Sequence, residues 1–212
     1  MSSEISKEKL RYKMILIGDS NVGKTSLFKK LTKEVFDPKI ISTIGIDKST
    51  LYFNINTSKG EKEVEIVLYD TAGQERFRSI SVSYFRDSQG LIIIYDITKF
   101  ESFNNVEEWI KDIKYNLGNN EDYLIILVGN KVDLVNINPE KRDVEESEAK
   151  KFCSDNKLLW GGECSAKDYN VDKLKEIFKS YIEEMFIKVG EKSKQSEGTL
   201  KKEKSQKKKG CC

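Results

Sequence analysis

Histidine is absent from the 212 residues, which excludes a His-based catalytic triad and a zinc site of the usual Cys/His kind. No apolar run approaches the ~18 residues that would span a bilayer. The opening stretch, "MSSEISKEKL", also has no apolar segment of the secretory kind. Cysteine is sparse: four in all, two of them the final residues. Cys153 and Cys164 fall in segments that read as structured, too few for a disulfide framework. The body is therefore expected to be cytosolic and reduced. A large charge of one sign is missing from the body as well. Nine lysines against three glutamates give residues 188–212 a charge of +6, leaving −4 on 1–187 within a net +2. A mildly acidic body argues against a nucleic-acid-binding core.

What is present is ample material for one domain. The chain is 38% hydrophobic with ten Phe and nine Tyr, enough for a buried core. "YKMILIG" (12–18) reads as a strand running into a glycine turn, and "KTSLFKKL" after it has helical spacing. Segments 49–58 and 62–70 alternate with period two around "KG", which predicts a hairpin. "GLIIIYDI" (90–97) and "YLIILVGN" (123–130) are almost continuously apolar, as expected of strands buried on both faces of a parallel sheet. Amphipathic helices are predicted over 101–117, about 145–155, and 171–187. The alternation predicts an α/β fold with helices on both faces. After residue 187 hydrophobic residues nearly vanish, so 188–212 is expected to be a disordered basic tail; residues 1–10 are expected to be a flexible N-terminus.

Three short stretches carry chemistry. "GDSNVGKT" (18–25) fits G-x-x-x-x-G-K-[ST] between a predicted strand and helix. The amides of such a loop wrap a β-phosphate, aided by the helix N-terminus. Lys24 is placed to reach the β- and γ-phosphates and the Thr25 hydroxyl to bind Mg²⁺, while Asn21 suits a position of positive φ. Asp70, ending an apolar strand in "LYDTAGQERF" (68–77), is where a carboxylate would hold a water on Mg²⁺. Gly73 can offer its amide to the γ-phosphate, and Gln74 is placed to orient an attacking water. The base is indicated by "NKVD" (130–133). Guanine presents N1–H and an exocyclic amine side by side, and the Asp133 carboxylate can accept both. Adenine would leave that desolvated carboxylate unpaired. Asn130 can bridge to neighbouring loops and the base N7, the stem of Lys131 can cover the ring, and "SAK" (Ser165, Ala166, Lys167) supplies an amide for the guanine O6.

Taken in order from about residue 12 to 187, these stretches resemble a Ras-superfamily small GTPase. "STIGID" (42–47), "YDTAGQERFRSIS" (69–81), "YFRDSQG" (84–90) and "LIIIYDIT" (91–98) resemble its Rab branch. The resemblance implies a single P-loop GTPase domain over 11–187, with a mostly parallel six-stranded sheet and helices on both faces. It implies GTP/GDP as substrate and product, with Mg²⁺ as cofactor. The nucleotide would be held by Ser20, Asn21, Val22, Gly23, Lys24, Thr25, Ser26, Phe36, Ser42, Thr43, Gly73, Asn130, Lys131, Asp133, Ser165, Ala166 and Lys167. Thr25, Thr43 and, through water, Asp70 would hold the metal. Gln74, Lys24 and Thr43 would serve catalysis, and Phe36 would pack against the base. Residues near 36–48 and 72–86 would be switch segments, ordered by GTP and released on hydrolysis. The implied role is regulation of intracellular vesicle trafficking. Effectors would be recruited in the GTP form, helped by an exchange factor, a GTPase-activating protein, a GDP-dissociation inhibitor and a prenylation escort. Without the activating protein, hydrolysis should be slow, on the order of 10⁻⁴ per second by analogy with Ras.

Two other readings compete. An ATP-using P-loop enzyme is disfavoured by NKVD, SAK and DTAGQ, and a nucleotide-bound membrane adaptor with negligible turnover by Gln74, Thr43 and Gly73. Within the superfamily, Ser2 rules out Arf-type myristoylation and the final residues are not C-a-a-X. Three features depart from the Rab pattern: Lys48 where Phe is usual, Tyr69 where Trp is usual, and the pair Asp87-Ser88 in place of a commoner small pair. Lys48, Tyr69 and Tyr84 are expected to form an effector surface in which one of three aromatic anchors has become a cation; alternatively Lys48 lies over the surface with its head in water.

The closing "KKKGCC" admits a strained vicinal disulfide, a metal site lacking further ligands, a functionless end or a lipid attachment point. The resemblance implies the last, as geranylgeranylation of Cys211 and Cys212. Two lipid chains anchor stably where one binds marginally, and each nearby lysine adds up to about 1 kcal/mol at an anionic leaflet. The expected location is the cytoplasmic face of intracellular membranes, cycling with cytosol.

Overall fold

The computed structural model describes residues 10–33, 46–58, 60–71, 83–118 and 122–190. Apolar runs that alternate in neither direction become the middle of the sheet. In β4 (Gly90–Asp96) and β5 (Leu124–Asn130) every residue is buried, because each strand is covered on both faces. β1 (Leu10–Ile17) lies beside β4, and the hairpin of β2 (Ile46–Thr57) and β3 (Gly60–Thr71) extends the sheet outward. With β6 (Leu159–Cys164) the order is β2-β3-β1-β4-β5-β6. Among the described residues only the β2–β3 pair is antiparallel.

The two faces carry separate cores. On one, Tyr12, Met14 and Leu16 of β1 and Ile92 and Ile94 of β4 pack with Leu27, Phe28 and Leu31 of α1 (Lys24–Lys33). The same core takes Leu174, Phe178, Tyr181, Ile182 and Met185 from the helix Val171–Val189. On the other, Ile15, Ile17, Leu91, Ile93 and Tyr95 meet Val106, Trp109, Ile110 and Ile113, joined by Ala149 and Cys153. Alternate residues of one strand thus feed opposite cores, the direct consequence of the two-residue strand period.

The predicted helix 101–117 is two helices, α2 (Phe100–Asn104) and α3 (Val106–Leu117), meeting at Asn105. A short α4 (Val132–Ile137) and a 3₁₀ turn (Pro139–Lys141) follow β5, where only a loop motif was expected. α5 (Glu146–Asn156) and α6 (Val171–Val189) complete the order. α6 starts where the Asn170 side chain accepts the Lys173 N–H at 2.8 Å, satisfying one of the donors a helix start leaves open. It stops at Gly190 with φ 65°, whose carbonyl accepts the Tyr12 hydroxyl at 3.0 Å. Tyr12 is the third residue of β1, so the chain leaves α6 beside the start of that strand. Among the described residues no helix is long and apolar enough to cross a membrane.

β1 has β3 on one side and β4 on the other, with β3 entering from the hairpin and β4 leading onward to β5 and β6. In open α/β sheets the crevice outside the carboxyl ends of strands at such a reversal is where ligands bind. The loop after Ile17, Asp70, Asp96, Asn130 and Cys164 all lie at that end.

Candidate functional site

The phosphate-type loop takes its shape from three left-handed or glycine-only positions. Gly18 has φ 132°, Asn21 φ 63° and Gly23 φ 98°. The expectation for Asn21 is thus met. Gly18 admits no side chain because a Cβ would lie 2.2 Å from the Ile94 carbonyl oxygen. Lys24 turns back over this loop, and its ammonium donates to the carbonyls of Gly18 at 2.9 Å and Asp19 at 2.6 Å. It is buried, and that burial lowers its pKa to about 8 against the opposing pull of the Asp70 and Asp19 carboxylates. Ser20 and Asn21 are exposed, Val22 is buried, and Thr25 and Ser26 are half-buried.

Thr25 and Asp70 meet across the end of the sheet. The Thr25 hydroxyl donates to Asp70 Oδ2 at 2.7 Å, while Asp70 Oδ1 is fully buried with no hydrogen-bond partner among the described residues. Burial raises the Asp70 pKa to about 6. A buried carboxylate oxygen left unmet is costly, and a hydrated cation beside Thr25 would satisfy it. The donor set of one hydroxyl and one carboxylate, both oxygen, suits Mg²⁺.

A second cluster lies at the ends of β5 and β6. Asn130 is 2% exposed, and its side chain ties two loops together. Nδ2 donates to the Val22 carbonyl at 2.8 Å, and Oδ1 accepts the Ala166 N–H at 3.2 Å. The phosphate loop and the "SAK" loop are therefore positioned by one residue. Asp133 opens α4 and is buried; its Oδ1 accepts the Ser165 hydroxyl at 2.8 Å. The Ser165 oxygen in turn accepts the Asp168 N–H at 2.9 Å. Lys131 sits at φ 75° with its ammonium 2.7 Å from Asp96 Oδ2, and Lys167 is exposed.

This constellation unites a phosphate-type loop, a cation-ready hydroxyl–carboxylate pair and a second buried carboxylate, Asp133, at one end of the sheet. The Ras family profile matches residues 13–187. The chain belongs to the Ras family. Its relatives include Ras-related protein Rab-13 of Rattus norvegicus, 37% identical over 84% of this chain and 82% of that one. Ras-related protein Rab-30 of Homo sapiens is 43% identical over 77% and 75%, and the GTP-binding protein ypt1 of Schizosaccharomyces pombe 44% over 74% and 72%. The protein is a Rab-type small GTPase, an enzyme that hydrolyses GTP.

In this Rab-type frame, Phe36, Ser42, Thr43, Gly73 and Gln74 lie outside the described residues, as do Cys211 and Cys212 and most of both switch segments. The remaining predicted residues gather at the two clusters above, apart from Lys48, Tyr69 and Tyr84, which form a group of their own. Lys48 stands directly opposite Tyr69 in the β2–β3 ladder. The Tyr69 and Tyr84 rings lie 5.8 Å apart, tilted by 50°. Lys48 is exposed.

Sequence reasoning missed what lies beneath those rings. The Lys13 ammonium donates to the carbonyls of Tyr84 at 2.6 Å and Arg86 at 2.8 Å and lies 5.2 Å from the Tyr69 ring centroid. Partial burial lowers its pKa. Asp87, one of the departures from the Rab pattern, adopts φ 60°, a conformation Asp tolerates better than most residues. Asp96 was also missed, although it ends an apolar strand as Asp70 does. Its Oδ1 accepts the Thr98 N–H at 3.0 Å and hydroxyl at 2.7 Å, while Oδ2 holds Lys131.

Proposed function

We propose that this Rab-type GTPase is a GTP/GDP-switched regulator of vesicle trafficking that recruits effector proteins to intracellular membranes in its GTP form. The observation that carries the reading is the pairing of Thr25 with Asp70, whose second oxygen is buried and unmet, beside the Lys24 ammonium. Thr25, and Asp70 through water, would hold Mg²⁺, which when bound supplies charge neutralisation for a triphosphate. Lys24 and the loop amides would stabilise charge developing on the γ-phosphate. Asp133 would accept the two donors of guanine, and the Ser165–Lys167 loop, tied to Asn130 through the Ala166 N–H, would supply an amide for O6. Thr43 and Gly73 would report the γ-phosphate to the switches, and Gln74 would orient the water for in-line attack.

A single-turnover assay with bound GTP tests the catalytic assignment. Gln74→Leu should retain GTP while slowing hydrolysis by at least roughly tenfold; equal rates for mutant and wild type would remove Gln74 from the mechanism.

The effector-facing group is Lys48, Tyr69 and Tyr84, and its cation favours partners that offer a carboxylate beside an apolar contact. The regulators are an exchange factor, an activating protein, a GDP-dissociation inhibitor and a prenylation escort. Membrane attachment runs through geranylgeranyl groups on Cys211 and Cys212, assisted by the +6 charge of residues 188–212. The exit of the chain supports this arrangement. Gly190 is tied to Tyr12 at the start of β1, while the nucleotide cluster lies past Ile17, about 17 Å further along a strand rising ~3.3 Å per residue. A tethered domain can therefore keep its nucleotide end turned from the bilayer. In cells, replacing both cysteines by Ser should shift the protein from the membrane to the soluble fraction with GTP binding unchanged. Persistent membrane association would defeat the lipid assignment.

A further inference from the structure

The phosphate loop contains a carboxylate, Asp19, which is unexpected in a loop whose purpose is to receive a polyphosphate. Its two oxygens are both held by neutral donors from the neighbouring helices. Asn105 Nδ2 donates to Oδ2 at 2.7 Å and Trp109 Nε1 donates to Oδ1 at 2.9 Å. Asn105 is the junction between α2 and α3, and Trp109 lies one turn further on, 3% exposed. Residues four apart on a helix share a face, so the pair makes a two-pronged clamp. On the main-chain side of the same residue, the Asp19 carbonyl accepts the Lys24 ammonium at 2.6 Å.

We infer that Asn105 and Trp109 are positioning residues that hold the Asp19 carboxylate away from the phosphate side of the loop and away from Lys24. The inference rests on the guanine-nucleotide reading of the site. Without the clamp this carboxylate is free to turn toward the Lys24 ammonium, which already lies against the main chain of the same residue. A carboxylate released onto that ammonium would compete with the incoming phosphates for it and repel them. Neutral donors suit this role, because they satisfy both oxygens and bring no extra cation into the loop.

The test is a mutant cycle on the full chain, read as the rate of GDP release. Asn105→Ala combined with Trp109→Phe should speed release by roughly tenfold, in the range seen for residues that couple directly. In an Asp19→Ala background the same two substitutions should change the rate less than about twofold, because the competing charge is gone. Equal acceleration in both backgrounds would mean that Trp109 acts only by packing, and would overturn the inference. Asn105→Ala alone, which leaves the apolar core intact, repeats the comparison if loss of the indole destabilises the fold. The indole N–H resonance of Trp109 should also move in Asp19→Ala; an unmoved resonance counts against the clamp. Wild-type protein that binds no GDP would defeat the nucleotide reading and the inference together, whereas normal release in every variant defeats the inference alone.

Discussion

Gly23→Ala should weaken nucleotide binding by at least an order of magnitude (about 1.4 kcal/mol or more). Gly23 has φ 98°, and a Cβ there would fall 2.2 Å from Asn130 Nδ2. That nitrogen donates to the Val22 carbonyl, the neighbour of the substituted residue. The new methyl group therefore strains the backbone and pushes away the side chain that joins the phosphate loop to the base loop. A left-handed alanine costs about 1–2 kcal/mol, and a buried amide deprived of its partner about 1–3 kcal/mol more. Together these predict a fall in GDP affinity of roughly thirtyfold to several thousandfold, at about 1.4 kcal/mol per factor of ten. Titration with GDP checks it, and an affinity within threefold of wild type would show that the loop tolerates a side chain at this position. Because Asn130 also accepts the Ala166 N–H, the loss should extend to guanosine as well as to phosphate-rich ligands. A defect confined to the phosphates would mean that Asn130 stays in place.

Asp133→Asn should change which base is bound. The shape is conserved, so the fold should remain, but one oxygen of the side chain is already committed to the Ser165 hydroxyl at 2.8 Å. An asparagine that keeps this contact through its carbonyl turns its NH₂ toward the base. Guanine also presents donors there, so two sets of N–H face each other in a pocket where Asp133 is only 5% exposed. Each buried donor left unmet costs about 1–3 kcal/mol, which predicts a loss of GTP affinity on the order of 100-fold. Xanthine carries an oxygen where guanine carries its amine, so the amide can meet it, and xanthosine triphosphate should bind the mutant better than GTP does. Competition between the two nucleotides decides the matter. Unchanged preference for guanine would remove Asp133 from base recognition. Asp133→Asn combined with Ser165→Ala frees the amide to rotate and should recover part of the guanine affinity.

Both predictions start from features that are legible in the order of residues along the chain. "GDSNVGKT" carries its backbone requirements in its own residues, since glycine, and asparagine more than most other residues, settle easily at positive φ. β4 and β5 are legible because burial on both faces demands an unbroken apolar run. The helix pattern of 171–187 is legible because Leu174, Phe178, Ile182 and Met185 repeat at helical spacing over several turns. The break at Asn105 is not: periodicity continues across it from Phe103 to Val106 and Trp109. The asparagine side chain there serves Asp19, a residue 86 positions away. The short helix at Val132 is hidden by length, since six residues hold less than two turns of periodicity.

By itself the sequence determined the α/β class, the glycine-bearing loop between β1 and α1, the NKVD and SAK stretches proposed to read the base, and the acidic body with its basic tail. Each of these is written in neighbouring residues or in composition. Only the tertiary structure decided that Asn130 joins two loops, that Asp70 keeps one oxygen unmet, that Lys13 lies under Tyr69 and Tyr84, and that Asp19 is held by a helix. These are contacts between side chains far apart in the chain. They are selected by which strand ends the parallel sheet brings together, and no local pattern of residues encodes them.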